Sequence, residues 1–363
     1  MKIIVGMSGG VDSSTAALFL KQAGHDVTGL SLELWDQRCR TDSSICCSQE
    51  SVISARAVCD MLGIRHESVD ARPAFAELVI EPFCRGYAEG ETPNPCVLCN
   101  RHIKFPALLD HARRCGADAI ATGHYAGIEF SGGRFRLLKG VDPAKDQSYF
   151  LYAMTDEERA RTLFPLGGLA KAEVRRIAAD AGLPSANRPE SQDICFVGPD
   201  GYDGFIRNLL PESAKPGPFM DMRGRVMGRH RGIAFYTVGQ RRGLGVAAGE
   251  RLYVVKIDRA TNTITLGRRE SGMVSRFSVC DLRWTSPVGI GETIRCAVKV
   301  RSTAREVFAT LSTLDDGERA CVELDQPQWA PAPGQAAVFY TGDEVIGGGR
   351  IYTTWQAMRN NNI

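Results

Sequence analysis

Apolar runs alternate with amphipathic patterns along the first half of the chain. Apolar or alternating segments predict strands at 1–5, 26–32, 65–70 and 117–122. Helical periodicity predicts helices at 15–23, 49–63, 73–90 (with an irregularity near Pro82), 96–115 and 169–182, and residues 127–140 have the pattern of a hairpin. A strand, a helix and a second strand in succession form a βαβ unit, so we expect an α/β fold with a parallel sheet.

The pattern changes near Leu210, where the helical periodicity ends. Glycines and prolines then separate short alternating runs at 251–258, 263–266, 293–301, 306–311, 319–324 and 336–340. Strands at this spacing are typical of small β domains or barrels. We therefore predict an α/β domain at 1–210, a small β-rich domain at 211–273 and a C-terminal β-barrel at 274–363, with a partly disordered tail after Thr354.

Composition adds limits rather than a function. The 363 residues are 44% hydrophobic with a net charge of +2, which allows several cores and gives only a weak signal for nucleic acid. No apolar run approaches the roughly 18–20 residues of a membrane span, and the first strand is too short for a signal peptide. We expect a cytoplasmic protein, in which the 12 cysteines serve as thiols for catalysis or metal rather than as disulfides.

The turn between the first predicted strand and helix has the strongest chemical signal. It reads Ser8-Gly9-Gly10-Val11-Asp12-Ser13-Ser14. The glycines let the backbone approach an anion, and the N–H groups of the first helical turn favour phosphate, whereas Asp12 is better suited to Mg²⁺. The turn lacks both the Walker A lysine and the dinucleotide-binding Gly-x-Gly-x-x-Gly. It resembles the PP-loop of the ATP pyrophosphatase superfamily, whose members cleave ATP between the α and β phosphates.

A Cys-x-x-Cys pair opens the helix predicted at 96–115. Cys96 and Cys99 lie at its N-terminus, and Arg101, His102 and Lys104 follow within the next turn. A helix N-terminus and basic neighbours both favour thiolate, so we expect lowered thiol pKa values and reactive cysteines. The alternative is a pair of buried structural thiols.

Other cysteines carry weaker signals. Cys195 stands alone among polar residues and becomes interesting only if the fold brings it to Cys99. Cys39, Cys46 and Cys47 occupy a polar stretch whose spacing suits a metal poorly, so a structural loop is favoured.

Two further features, a strand end and an arginine-rich stretch, indicate where ligands would bind to the predicted domains. Gly123 and His124 end the strand at 117–122, the ligand edge of a parallel sheet, which favours a role for both in a site. Between residues 217 and 245, Phe235 and Tyr236 are interspersed with six arginines, namely Arg223, Arg225, Arg229, Arg231, Arg241 and Arg242. Arginines with aromatic residues suit RNA phosphates and stacked bases, with a solvated surface as the alternative.

Several motifs in one order resemble the bacterial tRNA-specific 2-thiouridylase family, nearly from end to end. They lie at 6–13, 92–100, 121–125, 145–149, 194–196 and 333–340. The resemblance implies a Rossmann-like PP-loop ATPase domain, a small β-rich central domain and a C-terminal β-barrel. It also implies that ATP adenylates the 2-carbonyl of the wobble uridine in tRNAs for lysine, glutamate and glutamine. A persulfide sulfur, supplied by a sulfur-relay or cysteine desulfurase protein, then replaces the activated oxygen.

The resemblance also implies residue roles. Cys195 would carry the persulfide, and Cys99 would attack it through a Cys99–Cys195 disulfide. The nucleotide would be bound by Gly6, Met7, Ser8, Gly9, Gly10, Val11, Asp12, Ser13, Leu32 and Gly123. Contacts with tRNA would be made by Asn94, Pro95, Cys96, His124, Lys145, Asp146, Gln147, Arg301, Ser302 and Gln335.

Cys96 departs from the family pattern. Well-known members carry aspartate there as the proposed general acid/base, so that role is open in this chain. Cys96, Cys99 and Cys195 together could instead hold a 4Fe–4S cluster with one open iron. Two other functions are a PP-loop ligase that forms amides on a small molecule, and a non-catalytic RNA-binding module.

Overall fold

The computed structural model describes residues 1–35, 47–188, 194–197, 201–289, 291–314 and 317–354, without the side chains of 47–49 and 212. The predicted loop with Cys39 and Cys46, the Cys47 side chain and the predicted disordered tail therefore lie outside the described residues. The α-helices described are α1 (Val11–Gln22), α2 (Cys47–Leu62), α3 (Arg72–Phe75), α4 (Glu81–Ala88), α5 (Pro95–Cys99), α6 (Phe105–Cys115), α7 (Asp156–Arg161), α8 (Lys171–Asp180) and α9 (Gly201–Leu209).

The strands are distributed over the whole described chain. They are β1 (Lys2–Gly6), β2 (Asp26–Glu33), β3 (Arg65–Asp70), β4 (Ala119–Ala121), β5 (Ala126–Ser131), β6 (Arg134–Lys139), β7 (Thr162–Leu163), β8 (Gly217–Met220), β9 (Val226–His230), β10 (Tyr253–Asp258), β11 (Thr263–Gly267), β12 (Met273–Trp284), β13 (Thr293–Lys299), β14 (Val307–Thr313), β15 (Ala320–Trp329), β16 (Ala336–Thr341) and β17 (Glu344–Thr354).

The chain divides into two compact units. The first comprises Met1–Ile80, Pro95–Phe196 and Asp343–Ile346, and the second comprises Glu81–Asn94, Val197–Gly342 and the chain from Gly347 on. The boundaries predicted near 210 and 273 stay predictions.

A parallel sheet with strand order β3-β2-β1-β4-β7 forms the centre of the first unit. Ile3, Val5 and Val27 of β1 and β2 are buried with apolar residues of α1 and α2. An apolar central strand is expected where helices cover a parallel sheet. The predicted Rossmann-like α/β fold is confirmed. The short strand β7 was not predicted, because two residues are too few to show alternation.

The helix predicted from 96 to 115 is interrupted by a π-helical turn at Asn100–Lys104. Within it the N–H of Phe105 donates to the carbonyl oxygen of Asn100. Pro106 follows directly and has no N–H to donate, which favours a local change in the hydrogen-bond pattern. A second π-helical turn, Ala76–Ile80, precedes Pro82 in the same way, at the irregularity expected there.

The second unit contains a four-stranded sheet, β10-β11-β8-β9, and a barrel. The barrel strands follow the order β12-β15-β14-β13-β16-β17, and antiparallel pairing of β12 with β17 closes it. Along β12 buried positions alternate with more exposed ones, as the sequence pattern requires. The β-rich domain and C-terminal barrel are confirmed. No helix in the described ranges has the length and apolar character needed to cross a membrane.

The first residues of β17 belong to the first unit, where they extend the β5–β6 hairpin. Glu344 and Val345 pair with Leu138 and Leu137 of β6. The Glu344 carboxylate also accepts a hydrogen bond from Arg136 Nε at 2.7 Å. Residues far apart in sequence thus complete one edge of this unit.

Candidate active site

The phosphate loop connects β1 to α1 and requires glycine at two positions. Gly9 has a φ of +71°, and a Cβ there would lie 2.4 Å from the carbonyl oxygen of Ser51. A Cβ on Gly123, just after β4, would lie 2.6 Å from the backbone nitrogen of Ser13. A side chain cannot be accommodated so closely without displacing backbone, so both positions exclude any other residue.

Hydroxyl groups fix the shape of the loop. Ser13 Oγ accepts a hydrogen bond from the Ser8 N–H at 3.2 Å, and Ser14 Oγ donates to the Gly10 carbonyl oxygen at 2.8 Å. No side chain caps α1 at its N-cap, Gly10. The N–H groups of the first turn are therefore suited to an anion, as the sequence predicted.

Asp12 forms a contact that sequence reasoning missed. Lys171 Nζ lies 2.6 Å and 2.7 Å from the two Asp12 carboxylate oxygens, and the Tyr125 hydroxyl donates to Oδ1 at 2.7 Å. Lys171 is buried at the first position of α8, a helix whose amphipathic pattern gave no sign of this role. These three hydrogen bonds use all but about one of the lone-pair positions of the carboxylate, so one position is left for Mg²⁺.

Arg188 adds a second positive charge beside the loop. Its Nη1 donates to the Gly9 carbonyl oxygen at 3.1 Å. With Lys171, it gives the loop two cationic neighbours that the sequence motif does not include. This environment fits the phosphates of ATP, because both cations offset negative charge next to exposed backbone donors.

The β2 side of the loop is held by a chain of hydrogen bonds. Ser31 Oγ lies 3.0 Å from the Met7 carbonyl oxygen and 2.9 Å from His66 Nε2. The serine hydroxyl has one hydrogen, which goes to Met7, so His66 must donate through Nε2. Burial, followed by the nearby Arg56 charge, lowers the pKa of His66 and favours this neutral form. Leu32, predicted to contact the nucleoside, follows Ser31 and is half-buried.

The structure brings the three predicted thiols together within the first unit. Cys96 and Cys99 lie in α5, and each lies near enough to Cys195 to raise the pKa of its thiol. The thiols of Cys96, Cys99 and Cys195 are called the thiol cluster below. Next to Cys195, Phe196 is buried and packs edge-to-face on Phe75 with ring centroids 5.7 Å apart. Cys96 and Cys195 reach solvent, whereas Cys99 is buried.

The expected lowering of the thiol pKa values is wrong. Desolvation by the surrounding protein atoms raises the pKa of Cys96 and Cys99, and it raises the pKa of Cys195 to about 12, although Cys96 and Cys195 each keep part of their surface exposed. The charge of Lys104 opposes this effect at all three thiols but does not overcome it. Sequence proximity showed the basic neighbours and could not show the desolvation.

The thiol arrangement does not support the cluster alternative. Within the described ranges, no group of three or more histidine, cysteine, aspartate or glutamate side chains is placed to hold a metal ion. The three thiols therefore do not fit a 4Fe–4S cluster as they stand.

Three of the predicted tRNA contacts, Lys145, Asp146 and Gln147, lie in one tight turn of the first unit. Asp146 accepts hydrogen bonds from the Gly140 and Ser148 N–H groups, each at 3.1 Å. Gln147 Oε1 accepts from the Tyr125 N–H at 2.9 Å. Lys145, in the same turn, is half-buried. The side chains of Asp146 and Gln147 therefore stabilise the turn itself.

His124 lies beyond the end of β4 and is 9% exposed. Its Nδ1 lies 2.7 Å from Thr122 Oγ1, and its Nε2 lies 3.3 Å from Lys104 Nζ. Both ring nitrogens therefore have protein partners. Pro95 and Cys96, also predicted to contact tRNA, open α5 of this unit.

The remaining predicted tRNA contacts belong to the second unit. Arg301 Nη2 donates to the carbonyl oxygens of Val238, at 3.1 Å, and Ala330, at 2.5 Å. Its guanidinium thus holds two loops together. The other residues predicted here are half-buried and comprise Asn94, Ser302 and Gln335.

The predicted RNA surface of the central domain fits the structure in its arginines only, all six of which are exposed. Binding of RNA by these arginines stays a prediction. Phe235 and Tyr236, however, are 3% and 4% exposed, so their proposed stacking on bases is wrong. Tyr236 instead packs edge-to-face on Phe219 with centroids 5.3 Å apart, in the core beside β8. Composition alone cannot distinguish an aromatic residue of the core from one of the surface.

Comparisons with known proteins cover almost the whole chain. Family models described as a tRNA methyl transferase HUP domain, a tRNA methyl transferase PRC-barrel domain and an aminomethyltransferase beta-barrel domain match residues 1–199, 203–268 and 274–351. The chain is 52% identical to the tRNA-specific 2-thiouridylase MnmA of Chloroflexus aggregans over 354 residues, covering 96% of this chain and 98% of that protein. It is 47% identical to the protein of the same name from Pelotomaculum thermopropionicum, covering 99% of both.

The descriptions of the family models and the relatives' names differ in the group transferred. A PP-loop fits a reaction that splits ATP at the α–β bond, and a cysteine pair fits sulfur chemistry better than methyl transfer. The full-length similarity and the site geometry agree that this chain belongs to the tRNA-specific 2-thiouridylase family.

Proposed function

We propose that the chain catalyses ATP-dependent 2-thiolation of the wobble uridine in tRNAs for lysine, glutamate and glutamine. The observation that carries the proposal is one compact unit that holds both the phosphate loop and the clustered thiols. The phosphate loop would bind the activating nucleotide, and the thiols would supply the sulfur.

Activation is needed because the 2-oxygen of uracil is a poor leaving group. Transfer of the adenylyl group to this oxygen converts it into part of AMP, a good leaving group, and releases pyrophosphate. The N–H groups at the start of α1, with Lys171 and Arg188 beside them, would hold the phosphates of ATP. The flipped base would approach the start of α5, at Pro95 and Cys96.

Sulfur transfer follows from the two thiols. Cys195 carries a persulfide, Cys195–S–SH. The Cys99 thiolate attacks the Cys195 sulfur, forms the Cys99–Cys195 disulfide and expels the terminal sulfur as hydrosulfide. Hydrosulfide adds to C2 of the adenylated base, AMP departs with the oxygen, and one proton is lost as the thiocarbonyl forms. A dithiol reductant then returns the disulfide to two thiols.

The partners follow from this scheme. Sulfur reaches Cys195 from a relay or cysteine desulfurase protein, in keeping with the exposure of Cys195. The arginines of the central domain, such as Arg223 and Arg241, offer exposed positive charge to the tRNA backbone. We infer that the protein works in the cytosol, where tRNA and reduced thiols are available.

The test measures two products in one reaction. Full-length protein, a wobble-uridine tRNA transcript, ATP and a persulfide donor are combined, and pyrophosphate and 2-thiouridine are measured, the latter by nucleoside mass spectrometry. Cys99→Ser and Cys195→Ser should each abolish 2-thiouridine while tRNA-dependent pyrophosphate release persists. Cys280→Ser, in barrel strand β12, is the matched control and should be fully active.

Two outcomes would contradict the proposal. Full thiolation by both serine variants would remove the two cysteines from the mechanism. Pyrophosphate release that does not depend on tRNA would instead favour a ligase acting on a small molecule.

A further inference from the structure

We propose that Lys104, held in place by His124, is the cation that stabilises thiolate sulfur in the thiol cluster, and that His124 is a positioning residue for this ammonium. The inference deepens the proposed sulfur transfer and rests on it for its purpose. It gives His124 a role in sulfur chemistry.

The π-helical turn places the lysine relative to the thiols. The hydrogen bond from the Phe105 N–H to the Asn100 carbonyl oxygen joins residues five apart. In such a turn, residues five apart follow one another along the same side of the helix, whereas in an α-helix neighbours on one face are three or four apart. Lys104 is five residues after Cys99, so the π-helical turn directs its side chain toward the face that carries the thiol.

The contacts of His124 fit a holder for an ammonium group. An ammonium has no acceptor, so at 3.3 Å Lys104 Nζ donates to His124 Nε2, which must carry a lone pair. The proton of the neutral ring is then on Nδ1, which donates to Thr122 Oγ1 at 2.7 Å. The ring is stacked on Phe105, with centroids 5.9 Å apart, and meets the edge of Phe164 at 6.0 Å.

The neutral state of the imidazole is maintained by its surroundings. Burial, followed by the charge of Lys104, lowers the pKa of His124 well below its usual value. A charged imidazolium would repel the ammonium and could not accept its hydrogen bond. The ring therefore acts as a fixed acceptor at the end of the lysine side chain.

The thiols need such a cation because burial opposes their ionisation. The thiols of Cys96 and Cys99 disfavour a further negative charge at Cys195. Lys104 acts in the opposite direction on all three. A thiolate at Cys99 and an expelled hydrosulfide both gain from a positive charge at this position.

The test compares two alkylating reagents that differ in charge. Iodoacetate is an anion and iodoacetamide is neutral, so a nearby cation accelerates iodoacetate more. The rate with iodoacetate divided by the rate with iodoacetamide, measured at Cys99 and at Cys195, therefore reports local charge. Rates are measured by peptide mass spectrometry on full-length, reduced protein. Lys104→Gln should lower the ratio about three- to tenfold, and Lys104→Arg should keep it within about twofold.

The positioning role is tested by a matched pair at His124. His124→Leu removes the acceptor and should lower the ratio nearly as much as Lys104→Gln. His124→Gln offers an amide oxygen and should restore most of it. A purely structural effect would slow both reagents equally and leave the ratio unchanged.

Three results would overturn the inference. The first two are an unchanged ratio in Lys104→Gln and an unchanged ratio in His124→Leu. The third is a wild-type ratio that does not fall when the salt concentration is raised. This last measurement uses the wild-type protein alone and so does not depend on the folding of a variant. The assay uses neither ATP nor tRNA. Its failure is therefore distinguishable from failure of the proposed thiolation, which is judged by 2-thiouridine alone.

Discussion

The phosphate loop and the thiol cluster lie in the same compact unit but are built in opposite ways. The loop consists of consecutive residues, and its shape is fixed by local hydrogen bonds such as that from Ser14 Oγ to the Gly10 carbonyl oxygen at 2.8 Å. The thiols come from α5 and from the distant Cys195. A local site takes its shape mainly from its own residues. A site assembled from distant segments depends on burial and charge that only the folded chain sets.

A substitution that forces the backbone of the phosphate loop to move should nearly abolish nucleotide activation. Gly9→Ala places a Cβ 2.4 Å from the Ser51 carbonyl oxygen at a φ of +71°. We expect tRNA-dependent pyrophosphate release to fall by about a thousandfold, since loop and helix must both shift. Alkylation of Cys195 should stay within about twofold of the wild-type rate, because the thiols lie outside the loop. Parallel loss of thiol reactivity would show that the two sites are not independent.

The next largest effect concerns the charge beside the loop. Lys171→Met removes the ammonium that lies 2.6 Å from Asp12 Oδ1. The uncompensated carboxylate would repel phosphate, so the KM for ATP should rise about ten- to a hundredfold, measured by pyrophosphate release at saturating tRNA. Lys171→Arg is the charge-matched control and should recover most of the loss. An unchanged KM would separate this ion pair from nucleotide binding.

The thiols should show a dependence on pH that the loop does not. Burial raises the pKa of Cys99 above its ordinary value of 9.0, so the folded protein holds this proton more tightly than the unfolded chain. At pH 7.5 its alkylation by iodoacetamide should be slower than that of a free cysteine, and the rate should still be rising at pH 9. Because the folded state binds this proton more tightly, the Cys99 thiol contributes to the free energy of unfolding below about pH 9. That contribution decreases as the pH rises further.

A plateau in that rate near pH 7 would contradict the buried thiol. Pyrophosphate release measured across the same range serves as the comparison. It should vary little, because the proposed adenylation uses no thiol.

The smallest effect separates the two forms of sulfur chemistry. No bond to Cys96 forms during the proposed persulfide exchange, so Cys96→Ser should lower 2-thiouridine formation only about fivefold. Cys96→Asp restores the carboxylate of well-known family members and should match the wild type. Equal and complete losses in serine variants of Cys96, Cys99 and Cys195, with iron and sulfide present in the wild type alone, would favour a cluster.

Sequence predicted the local site better than the assembled one for a physical reason. The glycines and hydroxyls of the loop act through backbone geometry, which neighbouring residues determine. The contact of Lys171 with Asp12 and the desolvation of Cys99 depend on tertiary packing, which no short window contains. The same reason explains why Phe235 was predicted as an RNA contact although it lies in a core.

The pairing of β17 with β6 has a consequence for dividing the protein into parts. A fragment ending at residue 199, where the first family model ends, would lack Glu344 and Val345 and leave β6 with an unpaired edge. Arg136 would also lose its carboxylate partner. Exposed strand edges promote association between chains. The catalytic unit should therefore be produced with the C-terminal strand present, even when only nucleotide binding is of interest.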